Sequence, residues 1–291
     1  MAEIIVLGAN GQLGRALQDV IPQAKFYNHS TCDVSQKASL QKVFSVNSDV
    51  RWVINATAFT KVDVAEVQPD LAYAINSIAV EHIAELCNQV GAYLIHISSD
   101  YVFDGYADTP YSTNTQTNPL TLYGKSKVLG ERAVQSCSNH YIIRTSWLYG
   151  DGQNFVNTML TLSNNRNEVM VVNDQYGLPT NARDLAQFCE FIITFSPKPG
   201  IHHFCNGGEG ITWANFAQMI FELAHRNCRV VPINTEEYTK LNSQIIAPRP
   251  RYSVLDYSKS VIVDKNSDKR SFYIRGWYAA LSDYIQSHTS T

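Results

Sequence analysis

Glu3-Ile-Ile-Val-Leu7-Gly8-Ala-Asn-Gly11-Gln-Leu-Gly14-Arg-Ala-Leu17 decides the fold. A short apolar run, a glycine-rich turn and an amphipathic segment follow one another directly, the order of a dinucleotide-binding strand, turn and helix. Glycine lets the chain turn tightly and brings its backbone close to a pyrophosphate. The N-terminus of the following helix favours the negative charge. A glycine motif alone also fits a plain turn. Its position after a strand and before a helix argues for the dinucleotide unit, with the backbone at Gly8, Gly11 and Gly14 close to the cofactor.

Working outward, the same alternation continues. Ala24 to Tyr27 reads as a second strand and Asp49 to Ala58 as a third, followed by a helical period from Asp70 to Val90. Tyr93 to Ile97 is a buried strand ending in Ser98-Ser99-Asp100-Tyr101, a helix begins near Leu122, and Tyr141 to Trp147 is another strand. Strands alternating with helices predict an α/β protein with a Rossmann-type doubly wound parallel sheet. Residues 1–147 would form this nucleotide-binding domain. The pattern changes near Leu148–Asn154 without a linker. Residues 148–291 would form mainly a smaller C-terminal α/β substrate-binding domain, with segments returning to the first. They include a strand at Glu168–Val172 and helices at Asn154–Leu162, Ala182–Phe195, Trp213–Ala224 and Tyr273–Ser287.

A chain of 291 residues with 45% hydrophobic and 17% charged residues has material for a sizeable core. A net charge of −3 gives no electrostatic case for nucleic acid or an anionic membrane. No apolar run approaches the roughly 20 residues that span a bilayer. Without a signal-like start, a cytoplasmic location is expected. The six cysteines have no CxxC or zinc-like spacing and read as reduced, packed thiols. The eight histidines show no ligand pairing, so no metal is expected, and His202-His203 reads as part of a strand.

Strand C-termini line the ligand crevice of such a sheet, which places Ala58, Phe59 and Thr60 beside the cofactor. Tyr123 and Lys127 stand four apart, on one face of a helix. An ammonium beside a phenol favours phenolate, and the Ser99 hydroxyl can hold the same oxygen, so Ser99, Tyr123 and Lys127 suit proton transfer to a carbonyl. Asn28 and His29 stand where an acid would select the ribose 2′-hydroxyl, which leaves NADPH and NADH both open. Asp33 reads either as a cofactor contact or as a residue capping the next helix. Asp63 and Glu66 read as capping and solvating the turn before the 70–90 helix rather than as a catalytic pair.

The G-x-x-G-x-x-G spacing with Tyr123-x-x-x-Lys127 resembles the short-chain dehydrogenase/reductases. Further motifs narrow the likeness: Val53-Ile-Asn-Ala-Thr-Ala-Phe-Thr60, Ile97-Ser-Ser-Asp-Tyr-Val-Phe-Asp-Gly105, Arg144-Thr-Ser-Trp147, Asn173-Asp-Gln175 and Arg249-Pro…Ser253-Val-Leu-Asp256. Together they resemble the dTDP-4-dehydrorhamnose reductase family over nearly the whole chain. The resemblance implies hydride transfer from NADPH or NADH to the C4 ketone of a nucleotide-linked 6-deoxysugar, in a pathway feeding a cell-surface polysaccharide. It makes Tyr123 the proton donor and gives Lys127 the tasks of easing its ionisation and binding the nicotinamide ribose. Ser99 stands where the family commonly has Thr. Asp33 and Val34 fall on adenine-contacting positions, and Gly11, Gln12, Leu13, Ala58, Phe59 and Thr60 on other cofactor positions. Ser99, Asp100, Tyr101 and Trp147 would face the sugar.

Related dehydratases carry Thr-Asp-Glu where this chain has Ser99-Asp100-Tyr101, and a tyrosine is no useful base near neutral pH. Arg249, with Arg251 beside it, is offered to the pyrophosphate, since guanidinium pairs bidentately with phosphate. Some family members join subunits through a magnesium ion held by glutamates. One such position here is Ala16, so neither the metal nor that dimer is carried over, and a homodimer is only compatible with the likeness. Two other readings stay open: a reductase of another 4-keto-6-deoxysugar, and a non-catalytic regulatory subunit of the same fold.

Overall fold

The computed structural model describes residues 3–242, 244, 247–258, 262–265 and 268–289. The chain opens as expected, with β1 (Glu3–Leu7) running into α1 (Gln12–Val20). β2 (Lys25–Tyr27), α2 (Lys37–Val46) and β3 (Val50–Asn55) follow. A short helix α3 (Val62–Val67) comes next, and the expected 70–90 stretch is divided into α4 (Pro69–Tyr73), a π turn over Ala74–Ile78 and α5 (Ala79–Val90), where Gly91 ends it with a φ of 71°. Pro69 explains the break between α3 and α4, because a proline suits the first turn of a helix and not its interior. β4 (Tyr93–Ser99), α6 (Leu122–Gln135) and β5 (His140–Thr145) complete the first run.

These strands form one parallel sheet of six, in the order Gly200–His203, β5, β4, β3, β1, β2. The period of two sorts each strand's residues between two faces. Ile5, Leu7, Val53, Leu94 and Ile142 pack under α2 and α5. Ile4, Val6, Ile54, Ile95 and Ile143 pack under α1 and the helix Ala182–Phe195. The expected doubly wound fold is therefore present, with its sixth strand and one covering helix supplied by the second half of the chain.

A second core lies around the helices Phe155–Ser163, Trp213–Leu223 and Trp277–Thr289. Its strands Glu168–Val172 and Arg229–Ile233 run parallel. The last helix begins at Trp277 rather than at Tyr273, which is exposed. All six cysteines are buried and unpaired. Among the described residues no helix is long and apolar enough to cross a membrane.

The glycine turn is tight for a specific reason. A β-carbon at Gly14 would stand 2.1 Å from the Gly8 carbonyl oxygen, so α1 can start against the turn only without a side chain there. Gly14→Ala is expected to destabilise the chain by about 1–3 kcal/mol, the usual cost of overpacking. A urea unfolding midpoint equal to that of the wild type would show that the turn yields.

Candidate active site

The C-terminal ends of β1, β3, β4 and β5 open onto a cleft of about 530 Å³ between the sheet and the second core. Its wall contains Gly11, Gln12, Leu13, Ala58, Thr60, Ser99, Asp100, Tyr101, Tyr123 and Trp147. This is the size and position of a ligand site in an open α/β sheet.

The other expected site residues stand elsewhere. Gly8 and Gly14 shape the turn behind the wall, and the backbone N–H groups of Gly8 and Ala9 donate to the Tyr27 carbonyl at 2.9 and 3.0 Å. Val34 is buried in the sheet core. Asp33 accepts from the Ser35 N–H and hydroxyl at 3.0 and 2.7 Å, in a turn before α2. Phe59 packs against the small apolar cluster of Ala65, Ala72 and Tyr123. Arg249 is ion-paired with Asp63 and lines an adjoining depression of about 300 Å³ together with Tyr101. Arg251 lies apart, in a different depression beside Tyr106 and Asp108.

Tyr123 owes its position to the start of α6. The Thr121 hydroxyl accepts from the Gly124 N–H at 2.9 Å, a serine/threonine cap. Glu66 accepts from the Leu122 N–H at 2.8 Å, placing a carboxylate at the positive end of the helix. Glu66 and Asp63 were expected to serve the turn before the 70–90 helix; instead they tie α3 to α6 and to the segment around Arg249. Gly124 permits the close fit of α6 on the sheet edge, since a β-carbon there would lie 2.2 Å from the Tyr101 carbonyl oxygen.

Asn76, in the π turn, bonds both backbone groups of Phe59, accepting at 2.8 Å and donating at 3.1 Å, and donates to the Ser126 hydroxyl at 3.0 Å. Ser126 in turn donates to the Tyr123 carbonyl at 2.7 Å. Sequence reasoning missed Asn76; its one signal is an amide inside an apolar helical stripe. Beneath the site Glu131 and Arg144 form a bidentate pair at 2.9 and 2.7 Å, joined by the Ser98 hydroxyl at 2.5 Å. Nothing local in the sequence marks that pair, because its members lie on different elements.

The electrostatics differ from the sequence expectation. Burial pushes the Tyr123 phenol up to about 12, against a smaller opposite effect of the neighbouring Ser99 hydroxyl. The Lys127 ammonium donates to the Ile97 carbonyl at 2.7 Å, and burial lowers it to about 8. In the protein alone Tyr123 is therefore a firmly protonated phenol, and desolvation outweighs any easing by the ammonium. Tyr101 packs edge-on against Tyr123 at 5.5 Å, and its own phenol is pushed up by burial, so it is no base.

On the second-core side, Trp147 stacks face to face on Trp213 at 3.5 Å, and both rings line the cleft. Trp147 holds a left-handed φ of 46°, uncommon for a bulky residue, and this ends β5 two residues earlier than the sequence predicts. Trp213, Gln153 and Gln175 join the wall without having been singled out as site residues.

A model of the RmlD substrate binding domain family matches residues 1–290. The chain is similar to the spore coat polysaccharide biosynthesis protein SpsK of Bacillus subtilis, at 37% identity over 100% of this chain and 99% of that protein. It is similar to the dTDP-4-dehydrorhamnose reductase of Escherichia coli strain K12, at 41% identity over 77% of this chain and 78% of that one. Among solved structures it resembles a dTDP-4-dehydrorhamnose reductase from Bacillus anthracis in complex with NADP. That match has 34% identity and a TM-score of 0.88 and covers 99% of this chain and 100% of that one. With one family model matching almost end to end and relatives of this similarity, the chain belongs to the dTDP-4-dehydrorhamnose reductase family.

Proposed function

We propose that this protein reduces the C4 ketone of dTDP-4-dehydro-6-deoxy-L-mannose to dTDP-L-rhamnose with NADPH, NADH serving as an alternative donor. The observation that carries the reading is the convergence of Ser99, Tyr123 and the glycine turn on one cleft, with Lys127 directly behind. The turn fits a dinucleotide, because its closest approaches leave no room for side chains at Gly8 and Gly14.

In this reading Gly11, Gln12, Leu13, Ala58 and Thr60 hold the cofactor, with Asp33 and Val34 at its adenine end. The bound nicotinamide supplies the hydride. Tyr123 gives its phenolic proton to O4 as the C4–H bond forms and the carbonyl electron pair moves onto oxygen. The resulting phenolate is stabilised by the Ser99 hydroxyl and the nearby Lys127 ammonium, and a solvent proton restores it. Trp147 and Trp213 offer an aromatic face to the sugar nucleotide, and Arg249 faces the adjoining depression. The division into a cofactor part, residues 1–147, and a mainly substrate-binding part, residues 148–291, follows from the same assignment.

The test is oxidation of NADPH and of NADH, followed at the nicotinamide absorbance, with the keto-sugar present and absent. Oxidation that depends on the sugar is the expected result. With Asn28 and His29 rather than an acid after β2, both cofactors should work, their rates within about tenfold of each other, a difference worth about 1.4 kcal/mol. Tight cofactor binding with no turnover would favour the regulatory-subunit reading instead.

A further inference from the structure

We propose that Asp100 is a positioning residue that keeps Tyr123 in its protonated, proton-giving form, acting through the Ser99 hydroxyl and through its own charge. The inference rests on the reductase reading and adds a reason why the site runs towards reduction.

Ser99 has one hydroxyl proton, and it donates it to Asp100 Oδ1 at 2.8 Å. The Ser99 oxygen in turn accepts from the Tyr101 N–H at 3.2 Å, which leaves its proton directed at the carboxylate. To stabilise a phenolate at Tyr123, Ser99 must withdraw that proton from a carboxylate that is only 4% exposed. Losing a charge-assisted hydrogen bond in a dry site is unfavourable, so the carboxylate resists formation of the phenolate. Its negative charge resists it again directly, raising the Tyr123 phenol by like-charge repulsion. The two effects have the same sign, and both disappear when the carboxylate becomes neutral.

The groups around Asp100 leave it charged at neutral pH. Burial pushes its carboxyl up to about 6, and the hydroxyls of Ser99 and Ser253 hold it from rising further. Tyr123 faces it from α6, and Cys205 from the segment after the sixth strand, the Cys205 thiol being pushed up by burial first and by this charge second. The Asp63–Arg249 pair stands beyond Tyr101, and Lys127 is turned to the Ile97 carbonyl. A dehydrogenating step needs a phenolate base, whereas ketone reduction needs a phenol. A fixed anion beside Ser99 favours the second.

The experiment is the pH dependence of kcat/KM for sugar reduction in the wild type, Asp100→Asn, Asp100→Ser and Asp100→Glu. The basic limb, where Tyr123 loses its proton, is expected to move down by about one to three pH units in both neutral variants, the usual reach of a close charge. Asp100→Glu, which keeps the charge, should keep the limb near its wild-type position. Cofactor affinity reports whether each variant is folded, and either neutral variant alone suffices. A limb that stays in place while the sugar KM rises would make Asp100 a substrate contact and overturn the inference. An equal shift in Asp100→Glu would overturn it as well. A wild type that does not reduce the sugar would overturn the reductase reading and the inference together, an outcome readily distinguished from the others.

Discussion

Tyr123→Phe is expected to lower turnover by about 10²–10⁴, the span of a lost general acid, while leaving the fold and cofactor affinity intact. Phenylalanine keeps the ring that packs beneath Tyr101 and beside Ala65 and Ala72, so the loss is of the proton and not of the packing. The effect is expected to be in kcat rather than in substrate KM, because the phenolic proton acts in the transition state and contributes little to ground-state binding. Stopped-flow measurement of cofactor oxidation under saturating sugar separates the two. A variant with near-wild-type kcat would remove Tyr123 from the chemistry and leave Ser99 and Lys127 without a donor to support.

The second large effect concerns stability. Arg144→Met is expected to destabilise the chain by about 3–5 kcal/mol, because it leaves the Glu131 carboxylate buried without its ion-pair partner. Both side chains are almost fully buried, and the Ser98 hydroxyl alone cannot replace two guanidinium donors. The double variant Glu131→Met with Arg144→Met is expected to recover most of the loss, since removing both charges also removes the cost of burying them. Guanidinium unfolding of the three chains measures this. An Arg144→Met chain as stable as the wild type would mean that water reaches Glu131.

These two cases mark what could be read in the sequence. Tyr123 and Lys127 were legible because a helix converts a spacing of four into a shared face, a purely local rule. The glycine turn was legible for the same reason, as were the first five parallel strands, whose apolar residues repeat on two faces; the sixth, Gly200–His203, joins the sheet from far along the chain. The Arg249–Asp63 contact crosses 186 positions, and Glu131–Arg144 joins a helix to a strand. Such pairings depend on tertiary placement, and nothing in the local pattern selects among the candidates. Asp63 and Glu66 were read as local caps on that account, although their partners lie far along the chain.

The ionisation of Tyr123 failed to read out for a different reason. The nearest cation in sequence suggested an eased phenol, but the decisive quantity is how completely helix α6, Tyr101 and the Ala65–Ala72 region exclude water. Burial is a property of the assembled fold. The same holds for Trp147, whose left-handed backbone and stack on Trp213 follow from the second core closing over the sheet.

The most direct test of the account is transfer of label from NADPH deuterated at the transferable C4 position of the nicotinamide, with dTDP-4-dehydro-6-deoxy-L-mannose as acceptor and the product read by NMR. The account predicts dTDP-L-rhamnose carrying deuterium at sugar C4. Oxidised cofactor without label in the sugar, or label at any other sugar carbon, would contradict it.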